Sequence, residues 1–104
     1  MSKKKKTKAP IVINYGDRVG DVCVSLSGHD AGLVLVVVGV GDDGYVYIAD
    51  GKTRRLSEPK LKKTKHISIV TKLSPTACEQ ISHGQVNDSF LRREIARVKS
   101  EMLS

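Results

Sequence analysis

The sequence predicts a mainly β fold: a small five-stranded barrel over residues 14–73, a disordered basic arm at residues 1–10, and a short α-helical tail at residues 74–104. Three observations carry that expectation. Between residues 19 and 70, apolar residues alternate with polar ones or run unbroken as β-branched stretches, and a period of two is the period of a strand. Glycine and aspartate gather between those stretches, as tight turns require. After Ser74 the apolar spacing lengthens to that of a helix. A length of 104 residues suits one small domain with tails.

Each element has its own warrant. In residues 19–26, Val22, Val24 and Leu26 share one strand face while Cys23 and Ser25 point the other way. The loop Ser27-Gly28-His29-Asp30-Ala31-Gly32 follows, with two glycines four apart. Residues 33–40 form a valine-rich β-branched run without polar alternation, so both faces of that strand should be covered. Gly41-Asp42-Asp43-Gly44 reads as a hairpin turn, and residues 45–49 resume the sheet with Val46 and Ile48 on one face and Tyr45 and Tyr47 on the other. Asp50-Gly51 is a second hairpin signal, leading into a short cationic fourth strand at residues 52–56. Pro59 ends that strand and opens a basic loop over residues 60–65, and residues 66–70 form the fifth strand. Five strands in about fifty residues with tight turns are the mark of a small barrel.

In the tail, Ser74-Pro75 supplies N-cap and N1 of a short helix running to about Ser82, with Gly84 as its stop. Asn87-Asp88 caps a second helix over residues 89–103. Leu91, Ile95, Val98 and Met102 fall at i, i+4, i+7 and i+11 and make one narrow apolar stripe, with Arg92, Arg93, Arg97 and Lys99 off it. This pair either packs on the barrel or folds against a partner.

Charge is distributed unevenly. The net +7 resolves into +5 over residues 1–8, −5 over residues 9–51, +6 over residues 52–66 and +1 over the remainder. Clusters of one sign at both flanks of an acidic block point to a polyanionic partner, nucleic acid first. With one Phe, three Tyr and no Trp, stacking cannot be the main mode of binding. No apolar run reaches the length of a membrane span, and the start Met1-Ser2-Lys3-Lys4-Lys5-Lys6 has no apolar core of a secretory signal after it. Cys23 and Cys78 lie 55 apart with no CxxC pair, which disfavours a zinc site or disulfide framework and makes the cytoplasm the expected compartment.

A catalytic constellation is not expected. His29 beside Asp30 reads as a polar loop tip, neither cysteine has a cationic neighbour to activate it, and His66 closes a basic run. Gly39-Val40-Gly41-Asp42-Asp43-Gly44 matches GxGxxG, but it sits between two strands, whereas a dinucleotide fingerprint opens a helix. No cofactor, metal or small-molecule substrate is implied. What remains is the basic stretch of residues 52–66, seven bases in fifteen residues, and the glycine loop. Lysine makes point-charge contacts with phosphate, and Arg54 and Arg55 can make forked ones.

The run from Gly20 to Gly32, followed by Val34-Leu35-Val36-Val37-Val38, resembles a KOW motif, with Gly32 where the diagnostic glycine falls. The loop Ser27-Gly28-His29-Asp30-Ala31-Gly32 looks like that of the large-subunit ribosomal protein fourteen-e family. The stretch from Ala49 to Ile67 looks like that of short bacterial KOW-domain proteins related to it. The resemblance covers roughly residues 16–73 and a similar helical tail; the lysine arm is outside the pattern. It implies an SH3-like barrel that binds RNA, rRNA or the ribosome, as a monomer when free. The expected RNA-binding residues are Ser27, Gly28, His29 and Gly32 of the loop, with Lys52, Arg54, Arg55, Lys60, Lys62, Lys63, Lys65 and His66 of the basic stretch. The bases of residues 60–65 are expected to border the glycine loop. The rival reading is an SH3-like protein-interaction module docking to a translation or transcription factor through Tyr45 and Tyr47.

Overall fold

Five antiparallel strands form one sheet in the computed structural model, which describes residues 18–103. They are β1 (Asp21–Ser25), β2 (Val34–Val40), β3 (Tyr45–Ala49), β4 (Lys60–Lys63) and β5 (Ile67–Lys72), followed by α1 (Pro75–Ser82) and α2 (Asp88–Met102). The basic arm expected at residues 1–10 and the barrel start expected at residue 14 lie outside the described residues. Spatial order is β4-β3-β2-β1-β5. The end strands β4 and β5 are joined by a 3-10 turn, Thr64–His66, but are not paired, so the ladder stays open where a barrel was expected to close. Two bonds add to the ladder: Leu26 N donates to His66 O at 2.9 Å, extending the β1–β5 pairing, and Lys62 Nζ of β4 donates to Ser27 O at 2.8 Å, linking that end strand to the loop after β1.

Both faces of the sheet carry apolar cores. On one face, Cys23, Leu35, Val37, Val46, Ile48 and Ile67 pack together. On the other, Val22, Val36 and Ala49 meet Ala77 and Ile81 of α1 and Leu91, Ile95 and Val98 of α2. The tail therefore packs on the sheet. Strand periodicity explains the division: Val22 pairs with Val36 and Cys23 with Leu35, so neighbours along a strand go to opposite cores. The unbroken β-branched run of β2 is covered on both sides, as expected. Burial pushes the Cys23 thiol up to about 11, with Asp21 adding to the effect, so it stays protonated and serves as a small apolar residue.

Both helices start as their caps dictate. Ser74 Oγ accepts from Ala77 N at 3.2 Å, with Pro75 at the first position. Asn87 Oδ1 accepts from Phe90 N at 2.8 Å, with Asp88 in the positive first turn.

Four expectations need correction. Residues 52–56 form no strand, because Asp50 turns the chain on itself. Its Oδ1 accepts from Lys52 N at 2.9 Å and Arg54 N at 2.8 Å, while Asp50 N and Gly51 N both donate to Arg54 O. The donors that a ladder would need are consumed locally. The fourth strand lies instead at Lys60–Lys63, inside the stretch read as a basic loop, and pairs with β3 from Tyr45↔Lys63 to Ile48↔Lys60. Leu26, assigned to the apolar face of β1, is 56% exposed because the strand ends at Ser25. Met102, the last residue of the helix stripe, is exposed as well, because the helix ends there.

Candidate nucleic-acid interface

The loop between β1 and β2 is held from beneath and open above. Its backbone closes on itself through Gly32 N to Ser25 O at 2.8 Å and Leu33 N to Asp30 O at 2.9 Å. Gly28 and Gly32 both have positive φ and are exposed, and a side chain built at Gly32 would meet nothing within 4 Å. His29 is exposed at the tip, while the adjacent Asp30 turns inward and is only 3% exposed. Two side chains clamp this loop. Lys62 crosses from β4 and places Nζ on Ser27 O, directly under Gly28. Arg54 Nε donates to Asp30 Oδ2 at 3.1 Å.

Arg54 belongs to a second loop that is itself fixed. Beyond the Asp50 turn, Leu56 N donates to Asp88 Oδ1 at 2.9 Å, and Arg92 NH1 donates to Gly51 O at 2.6 Å. Glycine loop, Asp50 turn and α2 thus form one connected assembly, and between them lies a cleft of about 330 Å³. Gly32, Lys52, Arg92 and Lys99 stand along it, and Asp50 lines its wall. Neither Lys52 Nζ nor Lys99 Nζ has a partner among the described residues.

The basic stretch of residues 52–66 is therefore not one patch. Lys52 and Arg54 stand with the glycine loop, and Arg55 is exposed nearby in sequence. Lys62 is nine-tenths buried and spent on Ser27. Lys60 and His66 are half-buried. Lys63 and Lys65 sit beside Asp43 and Gly44 of the β2–β3 turn, where Lys63 Nζ lies 5.7 Å from the Tyr45 ring centroid. That turn is at the opposite end of β3 from Asp50. Lys63 and Lys65 do not line the cleft beside the glycine loop; of the residues 60–65 bases, Lys62 alone reaches under the loop.

The helix bases divide as well. Arg92 and Lys99 line the cleft with Gly32, a placement the sequence left open. Arg97 is committed to Glu94 and Glu101 at 2.9 Å each, and these hydrogen bonds, Glu94's first, raise its pKa further. Arg92, Lys99, Asp30 and Asp50 are the residues that sequence reasoning missed. Asp50 carries a local signal, since an aspartate before a glycine in a turn commonly bonds the backbone that follows it; Asp30, whose carboxylate meets the distant Arg54, and the helix residues carry none, because their roles follow from packing alone.

A second concavity of about 490 Å³ lies on the helix side of the sheet, walled by Val38, Gly39, Tyr47, Leu56, Ile81 and Val86. It is apolar and holds none of the basic residues. Among the described residues there is no group of three His, Cys, Asp or Glu able to hold a metal, and no helix long and apolar enough to cross a membrane. The GxGxxG match lies in the β2–β3 turn. No family model and no curated protein matches this chain.

Proposed function

We propose that this protein is a non-catalytic RNA-binding module with an SH3-like, KOW-type build that acts on rRNA or at the ribosome. The observation that carries the reading is the exposed glycine loop, fixed from within by Lys62 and Arg54 and bordered by the unpartnered Lys52 and Lys99. A backbone without side chains at Gly28 and Gly32 lets a sugar–phosphate chain approach closely, and clamping removes the ordering cost of binding. His29, Ser27 and the bases then position the RNA by backbone contact, which suits recognition by shape. The strand order and the short turn from β4 to β5 support the SH3-like build.

The test is binding of rRNA fragments at 50 and 200 mM salt. If about six phosphates are engaged, log K falls against log[salt] with a slope of roughly −0.7 to −0.9 per phosphate. Equal affinity at the two salts would sink the phosphate reading.

The apolar concavity around Tyr47 favours a second reading, a protein-interaction module docking to a translation or transcription factor. Nuclease treatment of a lysate before size fractionation separates the two. An RNA-bound protein moves to low mass, and a protein-bound one stays where it was.

A further inference from the structure

The cleft between the glycine loop and α2 has a composition that phosphate contact alone does not need. Its rim is cationic, with Lys52 from the Asp50 turn and Arg92 and Lys99 about two turns apart on one side of α2. Its floor is apolar, formed by Val34, Ile95 and Ala96. Asp50 in the wall has its Oδ1 occupied by two backbone N–H groups, which offsets its charge. Arg92 is held in place by Gly51 O and Ser89 Oγ, so this cation is preorganised. At about 330 Å³ the space lies within the range of small-ligand sites, about 300–1,000 Å³.

We propose that this cleft takes a single unpaired nucleotide of the bound RNA, with the base on the Val34–Ile95–Ala96 floor and its phosphate between Lys52, Arg92 and Lys99. A nucleotide is the part of an RNA that matches an apolar floor under a cationic rim, since its base has an apolar face and its phosphate is anionic. Bases in a duplex are already stacked and paired, so only single-stranded segments, bulges or loops can supply one. The inference rests on the RNA-binding reading and adds a strand preference to it. It also assigns a role to Lys99 of α2, whose ammonium has no other partner among the described residues.

The experiment measures binding of the full chain to a labelled ten-nucleotide unstructured RNA and to the same strand annealed to its complement. Ala96 is an exposed helix position, so Ala96→Met fills the cleft without altering charge or the core. It is expected to weaken single-strand binding by about tenfold while leaving duplex binding within about twofold. Lys99→Gln is expected to weaken single-strand binding several-fold more than Arg93→Gln, which removes the same charge from the same helix outside the cleft. Wild-type affinity in Ala96→Met, or equal losses in the two charge variants, overturns the nucleotide site while leaving RNA binding intact. Absence of any RNA binding by the wild type overturns the underlying reading as well.

Discussion

The glycine–aspartate loop before β2 and the glycine–aspartate turn after it have similar compositions and opposite roles. The first is anchored by side chains from three other parts of the chain: Lys62 on Ser27 O, Arg54 on Asp30, and α2 holding the loop that carries Arg54. The second is held by backbone bonds, Tyr45 N to Asp42 O at 2.8 Å, Gly41 N to Tyr45 O at 3.0 Å and Thr64 N to Gly44 O at 2.8 Å, with Asp42 and Asp43 exposed. One end of the sheet is a braced platform and the other a plain hairpin. The difference teaches that turn composition specifies the bend, whereas rigidity comes from distant residues that happen to fold over it.

The largest contrast should come from two adjacent lysines. Lys62→Glu places a carboxylate in a nine-tenths buried site facing the Ser27 carbonyl, and an uncompensated buried charge costs about 3–5 kcal/mol. Lys63→Glu changes an exposed residue at the hairpin end, with an expected loss under about 0.5 kcal/mol. Urea unfolding of both variants measures this; equal midpoints would mean that Lys62 braces nothing.

Two glycines provide the next contrast. At Gly51 (φ +79°) a Cβ would run into the Asp88 carbonyl, whereas at Gly44 (φ +77°) it would meet nothing within 4 Å. Both alanine variants bear the strain of a left-handed backbone, about 1–2 kcal/mol. Only Gly51→Ala must also push α2 away, for a total of about 3 kcal/mol. Thermal melts reading the same shift for both would show that the Asp50 turn and α2 are not in firm contact.

The smallest contrast concerns the aspartates. Asp30→Ala removes the partner of Arg54 and should cost about 1–2 kcal/mol, with faster amide exchange across residues 28–33. Asp42→Ala should stay within about 0.5 kcal/mol. Unchanged exchange in the first variant would place the bracing elsewhere.

The same asymmetry decides what could be read from the sequence. Strands β1, β2, β3 and both helices were legible because their apolar residues follow the period of the element and their caps and turns are local. Strand β4 was not, since its pattern is inverted: Leu61 is 46% exposed and Lys62 is buried. A lysine can face inward there only because Ser27 O lies at the end of its reach, and no local signal announces that. The false strand at residues 52–56 has the matching cause, an aspartate side chain capturing two backbone donors. Of the candidate site, the glycine loop was visible in the sequence, while the division of the basic stretch and the arrival of Arg92 and Lys99 were set by tertiary packing.

Strand β2 sends Leu35 and Val37 into one core and Val36 into the other. Loss of β2 would strip apolar side chains from both cores at once. The helices on one side and the curled sheet on the other are therefore tied into a single cooperative unit, so that opening either exposes the apolar surface of both. A loosening of α2 is then felt beneath the glycine loop, and the slowest-exchanging amides of the molecule are expected in this central strand.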